Sequence, residues 1–267
     1  MAPGVVERLT TRAADGTEIG SWLVRPADVS ADRPAPLVVW VHGGPLGSWN
    51  GWHWRWNPHL LAAHGYAVLM PDPALSTGYG QRMVDRGWND WGGTPYADVT
   101  AAVDAALAGR SDLDASRTAL MGGSYGGYMI NWIAGQTDRF KALVSHDGVF
   151  DLVSMYGSTE ELWFPEWDHH GTPWENPEGY EKQNPLNFVK NWKTPALVIH
   201  GERDYRCPIG EGLNLFEALQ YHGVPSELMI FPDENHWILK PQNSLYWYGE
   251  VRAWLTRYAP PAPSPTP

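Results

Sequence analysis

The sequence has very little cysteine and no excess of positive charge. Its 267 residues include one cysteine, Cys207, so no disulfide can form within the chain. Lys and Arg number 19 against 30 Asp and Glu, a formal net charge of −11, which argues against nucleic acid as the main partner. No apolar run is long enough to span a bilayer, and no signal peptide is visible. We therefore expect a globular protein of the cytoplasm without a membrane partner.

Patterns for metals and phosphates are also missing. The adjacent His169 and His170 lack the i, i+4 spacing by which two histidines on a helix bind zinc. The glycines around Ser124 lack the lysine that a phosphate-binding loop requires. We expect no metal and no cofactor.

What the chain does contain is a Gly-x-Ser-x-Gly pattern within residues 121–128 (MGGSYGGY). An apolar stretch predicts a strand over residues 118–121, and residues 128–134 favour a helix. A serine between such elements lies on a sharp turn, where glycines avoid the clashes that Cβ atoms would cause. The pattern therefore predicts a nucleophile elbow at Ser124, and with it acyl transfer or hydrolysis through an acyl-enzyme.

The remaining segments predict a doubly wound, mostly parallel α/β sheet. Residues 5–11 and 17–25 alternate in polarity around Asp15-Gly16, which is typical of an antiparallel hairpin at the sheet edge. Short apolar runs alternate with helical stretches, a pattern typical of parallel strands buried on both faces. The predicted strands are residues 37–41, 66–70, 118–121, 141–145, 196–200 and 227–231, and the predicted helices are residues 58–64, 96–108, 211–222 and 242–258.

We expect one catalytic domain over residues 1–258, interrupted by an insertion. Residues 151–193 are rich in Trp, Glu, Pro and Asn, and we expect short helices and loops there that cover the active-site end. The proline-rich residues 259–267 are expected to form a disordered tail.

A triad on this fold follows the order serine, acid, histidine. His236 lies after the last predicted strand and before the last helix, where such a base belongs, so we predict it as the base. Asp204 follows the strand that ends at His200 and is our predicted acid, with Glu202 and Asp233 as alternatives. For the oxyanion hole we predict the backbone N–H groups of Tyr125 and Gly44.

Several longer motifs in this order resemble the prolyl oligopeptidase family of serine peptidases, and most of all its acylaminoacyl-peptidase and dipeptidyl-peptidase 5 branch. The likeness runs from about residue 5 to residue 258. The matching segments are HGGP (42–45), STGYG (76–80), WGG (91–93), GGSYGGY (122–128), WENP (174–177), HGERDYR (200–206) and NHW (235–237).

This resemblance implies an α/β-hydrolase fold and a triad of Ser124, Asp204 and His236. Family members usually carry an N-terminal β-propeller, and this chain begins a few residues before the hydrolase segment, so we expect either an excised catalytic domain or a free-standing one. We predict substrate contacts at four aromatic or basic residues. Trp49 lies in the tryptophan cluster 49–56, Trp163 in the insertion, and Tyr128 and Arg206 in the family motifs.

Three functions remain open. The first is a peptidase that cleaves amide bonds of short peptides or acylated amino acids, and the second is a carboxylesterase for small acyl or aryl esters. The third, which the triad positions disfavour, is a hydrolase fold that only binds. The partner expected is a small peptide or ester substrate, together with self-association into a homo-oligomer through the surface that a propeller would otherwise cover.

Overall fold

The computed structural model of the protein describes residues 4–51 and 53–262. These residues form one eight-stranded sheet in the order β1-β2-β4-β3-β5-β6-β7-β8. The strands are β1 (Val5–Arg12), β2 (Glu18–Arg25), β3 (Ala35–Val41), β4 (Ala67–Asp72), β5 (Leu113–Gly123), β6 (Ala142–His146), β7 (Ala196–Gly201) and β8 (Ser226–Phe231). The helices are α1 (Pro58–Ala62), α2 (Gln81–Asp85), α3 (Thr94–Ala108), α4 (Tyr125–Gln136), α5 (Leu152–Ser158), α6 (Trp163–Asp168), α7 (Pro177–Glu181), α8 (Gly210–Tyr221) and α9 (Pro241–Tyr258).

Two antiparallel pairings stand at one edge of an otherwise parallel sheet. β1 pairs with β2 as the predicted hairpin, and β2 pairs antiparallel with β4. The pairings of β3 with β4 and β5, and those that join β5 through β8, are all parallel. The predicted doubly wound sheet with an N-terminal hairpin is confirmed.

The sheet is buried on both faces by helices. Along β3, Leu37 and Val39 join the core that α3, α4 and α8 cover, while Val38 and Trp40 join the core under α1 and α9. Because successive side chains of a strand point to opposite faces, a strand covered on both sides needs apolar residues throughout. This is why residues 37–41 form an unbroken apolar run.

The strand that leads to Ser124 is longer than its sequence indicates. The apolar pattern predicts only residues 118–121, but β5 begins at Leu113, and its pairing with β3 shifts register between Pro36 and Leu37. Of the added residues, Leu113 is buried, but residues 114–117 (DASR) are partly or fully exposed and carry no apolar pattern. Backbone pairing of Leu113 and Asp114 with β3 extends the strand at this end.

The insertion at residues 151–193 contains α5, α6, α7 and a 3-10 helix, Pro185–Asn191. The chain end differs from the predicted disordered tail as far as residue 262. Ala259 is buried, and the carbonyl of Pro260 accepts a hydrogen bond from Arg117 at 2.6 Å. Residues 263–267 lie outside the described residues, as does Trp52 of the tryptophan cluster. In the described part of the chain, no helix combines the length and hydrophobicity needed to cross a membrane.

Candidate active site

Ser124 lies between the end of β5 and the start of α4, in the conformation of a strained turn. Its backbone has φ 60° and ψ −124°, a combination rare for a residue with a side chain. Its N–H donates to the carbonyl of His146 at 2.9 Å, and its carbonyl accepts from the N–H of Tyr128 at 2.9 Å. These bonds fix the turn to β6 on one side and to the first turn of α4 on the other.

Close packing of backbone against backbone explains the glycines around the serine. A Cβ atom at Gly126 would lie 2.3 Å from the carbonyl oxygen of Val41, and one at Gly122 would lie 2.7 Å from the backbone of Gly126. A Cβ at Gly127 would lie 2.5 Å from the Cα of Gly148. α4 therefore begins in contact with β3 and the loop after β6, and larger residues would force it away.

His236 and Asp204 form a short hydrogen bond at the same end of the sheet. The distance from His236 Nδ1 to Asp204 Oδ2 is 2.6 Å, and the aspartate side chain is fully buried. Asp204 Oδ1 accepts from the backbone N–H groups of Arg206 at 2.9 Å and Cys207 at 3.0 Å. These three bonds hold the carboxylate in one orientation, with Nδ1 protonated and Nε2 left to accept a proton. Of the alternative acids, Glu202 is exposed.

The loop that carries His236 is held against the end of β7. A Cβ at Gly201 would lie 2.1 Å from the carbonyl oxygen of Asn235, so only glycine permits this approach. The Glu234 carboxylate accepts from the backbone N–H groups of Leu239 at 3.2 Å and Lys240 at 2.9 Å. The position of the histidine therefore rests on backbone contacts on both sides. Asp233, the other alternative acid, pairs instead with Lys240.

The pKa of His236 lies above its ordinary value of 6.5. Burial lowers this pKa, but the hydrogen bond to Asp204 and the charges of Asp204 and Asp147 outweigh burial. The imidazolium form is thus stabilised, which is what a base needs while it holds a proton during a reaction.

A second buried histidine–carboxylate pair supports the first. Trp247 Nε1 donates to His146 Nδ1 at 3.1 Å, so the proton of neutral His146 is on Nε2, 2.8 Å from Asp147 Oδ2. Asp147 Oδ1 accepts from the N–H of Gly201 at 2.9 Å. Burial raises the pKa of Asp147, but the neighbouring histidines outweigh it and the net direction is downward. The charged carboxylate therefore joins the ends of β6 and β7 beneath His236.

The loop after β3 meets the elbow directly. A Cβ at Gly43 would lie 3.2 Å from the Cβ of Ser124, and Gly44 has φ +133°, a conformation that favours glycine. His42 holds the loop: its Nδ1 lies 2.8 Å from the Gly43 carbonyl and its Nε2 lies 2.8 Å from Ser76 Oγ. Burial lowers the pKa of His42, so the ring is neutral, donating from Nδ1 and accepting at Nε2.

Ser124, His236 and both residues of the predicted oxyanion hole, Gly44 and Tyr125, line one cavity of about 690 Å³. Its size is that of a site for a small ligand. The insertion contributes one wall, with Met155, Glu161, Trp163, Phe164, Trp167 and Asp168.

The predicted substrate-contacting residues divide into three that line the cavity and one that does not. Trp49, Trp163 and Arg206 are lining residues. Tyr128 does not line the cavity: its side chain is fully buried in the core, and its hydroxyl donates to the Gln183 carbonyl at 2.8 Å. Its ring packs against those of Trp91 and Tyr125, with centroids 5.2 and 5.7 Å away, and these two residues lie between Tyr128 and the cavity they line.

Sequence reasoning missed other lining residues. Trp237 has two guanidinium groups over its ring, those of Arg55 at 4.8 Å and Arg206 at 5.7 Å from the ring centroid. His146 and Trp91 also line the cavity. The sequence offered two signals for these residues: His146 lies at the carboxyl end of a strand, and Trp91 and Trp237 lie in family motifs.

One group of ligand atoms has the spacing of a metal site. Atoms of Asp147, His200 and Asp204 lie within 4.8 Å of one another. His200 Nε2, however, lies 2.7 Å from the Cys207 carbonyl, an acceptor, so this nitrogen carries a proton. Both carboxylates accept hydrogen bonds from Gly201 or His236. The cluster is accounted for as a hydrogen-bond network.

Comparison with known proteins identifies relatives over nearly the whole chain. The model of the prolyl oligopeptidase family matches residues 52–261. Dipeptidyl-peptidase 5 of Schizosaccharomyces pombe is 46% identical over 261 residues, which are 97% of this chain and 38% of that protein. Dipeptidyl-peptidase 5 of Aspergillus fumigatus is 43% identical over 248 residues, 91% of this chain and 34% of that protein. The chain therefore spans between a third and two fifths of the length of these relatives.

A solved structure agrees with the sequence match. The acylaminoacyl peptidase of Pyrococcus horikoshii superposes with a TM-score of 0.90 and 29% identity, over all of this chain and 44% of that one. The predicted α/β-hydrolase fold and the predicted resemblance are both confirmed. The chain belongs to the prolyl oligopeptidase family of serine peptidases.

Proposed function

We propose that this chain is a serine hydrolase that cleaves amide bonds of short peptides or acylated amino acids through an acyl-enzyme. The observation that carries the proposal is the His236–Asp204 pair, bonded at 2.6 Å, whose histidine lines the same cavity as the elbow serine. The dipeptidyl-peptidase and acylaminoacyl-peptidase relatives support an amide as the bond that is cleaved.

The proposed reaction begins with attack of Ser124 Oγ on the substrate carbonyl carbon. His236 Nε2 takes the hydroxyl proton as the new C–O bond forms, and the carbonyl oxygen becomes an oxyanion. Backbone N–H groups of Tyr125 and Gly44 donate to this oxyanion, and Asp204 stabilises the imidazolium. The intermediate collapses, the C–N bond breaks, and the departing amine takes the proton from His236.

Hydrolysis of the acyl-enzyme repeats these steps with water. His236 removes a proton from water, the resulting hydroxide attacks the ester carbonyl, and Ser124 leaves with the proton. The elbow conformation supports this cycle, because it presents the serine at the start of α4, where backbone N–H groups have no partner within the helix.

Small aryl or acyl esters are the second candidate substrate class. The same acyl-enzyme chemistry applies, and the aromatic side chains of Trp163, Phe164 and Trp167 on the insertion wall fit an aryl group as well as a peptide side chain. Esters also have a better leaving group than amides.

Two substrates separate these candidates. Rates on an aminoacyl p-nitroanilide and on a short p-nitrophenyl ester are compared for the wild-type chain and for Ser124→Ala. The proposal expects hydrolysis of the anilide that disappears in the variant. Ester cleavage alone would favour the carboxylesterase, and a folded chain that cleaves neither would favour a hydrolase fold that only binds.

The proposal includes a cytoplasmic location and self-association. The single cysteine is buried, in keeping with a protein that does not depend on disulfides. Trp163 and Trp174 are 67% and 80% exposed, and large exposed aromatic side chains favour contact with another surface. Cell fractionation and light scattering after size exclusion test these two points.

A further inference from the structure

Asp168 has a buried carboxylate in the wall of the active-site cavity, and one of its two oxygens accepts no hydrogen bond. It is the last residue of α6, lines the cavity and is 2% exposed. Within residues 4–51 and 53–262, its Oδ2 receives no hydrogen bond and no cation forms a salt bridge with it. Because a buried polar atom without a hydrogen bond is costly, such an atom in a binding cavity is suited to bind a polar or charged group of a ligand.

The cations that line the same cavity are engaged elsewhere. Arg206 forms an ion pair with Glu161, at 3.1 Å from Nε to Oε2, and its guanidinium lies over the ring of Trp237. The Arg55 guanidinium also lies over that ring, 4.8 Å from its centroid. The neighbouring His169 is buried, which lowers its pKa to about 4, so it is neutral near pH 7. None of these groups supplies the positive charge that Asp168 lacks.

Trp91 connects Asp168 with the elbow. The ring of Trp91 lies 5.2 Å from that of Tyr125 and 5.7 Å from that of Phe164, between centroids. The Tyr125 hydroxyl donates to the Trp91 carbonyl at 3.0 Å, which fixes the indole beside the residue that follows Ser124. The N–H of the same indole lies close enough to the Asp168 carboxylate to lower its pKa. The carboxylate therefore belongs to the part of the cavity that adjoins the nucleophile.

We propose that Asp168 is a specificity-determining residue that binds a positively charged group of the substrate, an ammonium or a guanidinium. The inference rests on the proposed function, since it concerns the substrate of that same site. Asp168 is 2% exposed, and a charge-assisted hydrogen bond is strong in such buried surroundings. Burial raises the pKa of Asp168 to about 7, against a smaller opposite effect of Trp91, so an entering cation would favour the ionised form.

The cation has two possible sources in a peptide, a basic side chain or a free N-terminus. One substrate pair compares an acetyl-lysyl with an acetyl-norleucyl anilide, which differ in the charged end of the side chain. The other pair compares an alanyl-norleucyl anilide with its acetylated form. The pair that shows a preference identifies the source.

Binding is measured without turnover as well as with it. In the Ser124→Ala protein, calorimetric titration with each pair gives the affinities directly, and kinetics of the otherwise wild-type chain give kcat and KM. We expect the charged member of one pair to bind roughly tenfold to hundredfold more tightly. Asp168→Asn should abolish this preference, with the loss appearing in KM for the charged substrate. Asp168→Glu should restore part of the preference.

The matched control is Glu166→Gln on the same helix. Glu166 accepts a hydrogen bond from Tyr156 and is not a cavity-lining residue, so the preference should persist in this variant. Equal affinities within both pairs, or a preference that Asp168→Asn leaves intact, would overturn the assignment. Failure of the proposed function is a separate result, because it appears as absent turnover of every anilide whatever the affinities.

Discussion

Replacement of Asp204 by Asn tests the chemistry of the site with little change of shape. Asn keeps an oxygen where Oδ1 accepts from the N–H groups of Arg206 and Cys207. Its amide NH2 then takes the place of Oδ2, 2.6 Å from His236 Nδ1. Because an NH2 group donates, it requires an unprotonated Nδ1, and the histidine proton moves to Nε2. A ring in that tautomer cannot accept the proton of Ser124.

The expected loss is large in kcat and small in KM. The corresponding replacement in a serine protease of another fold lowers kcat by about 10⁴, which at 1.36 kcal/mol per tenfold change is on the order of 5 kcal/mol of transition-state stabilisation. We expect a loss of roughly 10³ to 10⁴ here, with KM within about threefold. The assay is steady-state hydrolysis of the anilide or ester that the wild-type chain cleaves best.

The matched control is Asp233→Asn. Asp233 lies in the same loop as His236, but its side chain is 42% exposed and pairs with Lys240 on the surface. Its activity should stay within about twofold of wild type. A decrease of less than tenfold for Asp204→Asn, in a protein with unchanged near-UV circular dichroism, would refute the assignment of this carboxylate as the partner of the base.

Two further predictions concern the elbow and the pH dependence. Gly126→Ala should remove activity and lower the melting temperature, because the added Cβ would lie 2.3 Å from the Val41 carbonyl oxygen. The control is Gly249→Ala on α9, where an added Cβ has no atom within 4 Å, and it should change neither property. Melting curves and hydrolysis rates of both variants test this prediction. Activity needs unprotonated His236, so kcat/KM should fall as the pH falls through a pKa above 6.5. In Asp204→Asn this decrease should occur at lower pH. A decrease in the wild-type chain with a pKa below 6.5 would contradict the account.

The sequence predicted most of what backbone geometry and chain order determine. Ser124 and the strand and helix on either side of it follow from glycines that allow a sharp turn, and the positions of Asp204 and His236 follow from strand ends that meet at one edge of the sheet. The sequence did not predict which residues of α4 line the cavity. Tyr128 and Tyr125 belong to the same motif and their rings stack 5.7 Å apart, yet only Tyr125 lines the cavity, a difference that a sequence pattern does not show.

Asp168 was missed for a different reason. Its proposed role in substrate binding depends on three features of the structure: its burial, the lack of a cation beside it and the cavity that it shares with Ser124. In the sequence Asp168 is one of several acidic residues of the insertion, and it directly precedes His169 and His170. Nothing in the sequence distinguishes it from the other acidic residues. The partners of α6 are residues far away in the chain, such as Trp91, and a single sequence does not identify them.

The most direct test of the central claim is covalent labelling of the wild-type chain with a fluorophosphonate, followed by peptide mapping. This reagent phosphonylates a serine only when a base activates it and an oxyanion hole receives the phosphoryl oxygen. The account predicts one adduct, on Ser124, that forms at least about 10³ times more slowly in His236→Ala, given the rate losses that follow removal of a triad residue. A folded chain that is not labelled, or one labelled on another residue, would contradict it.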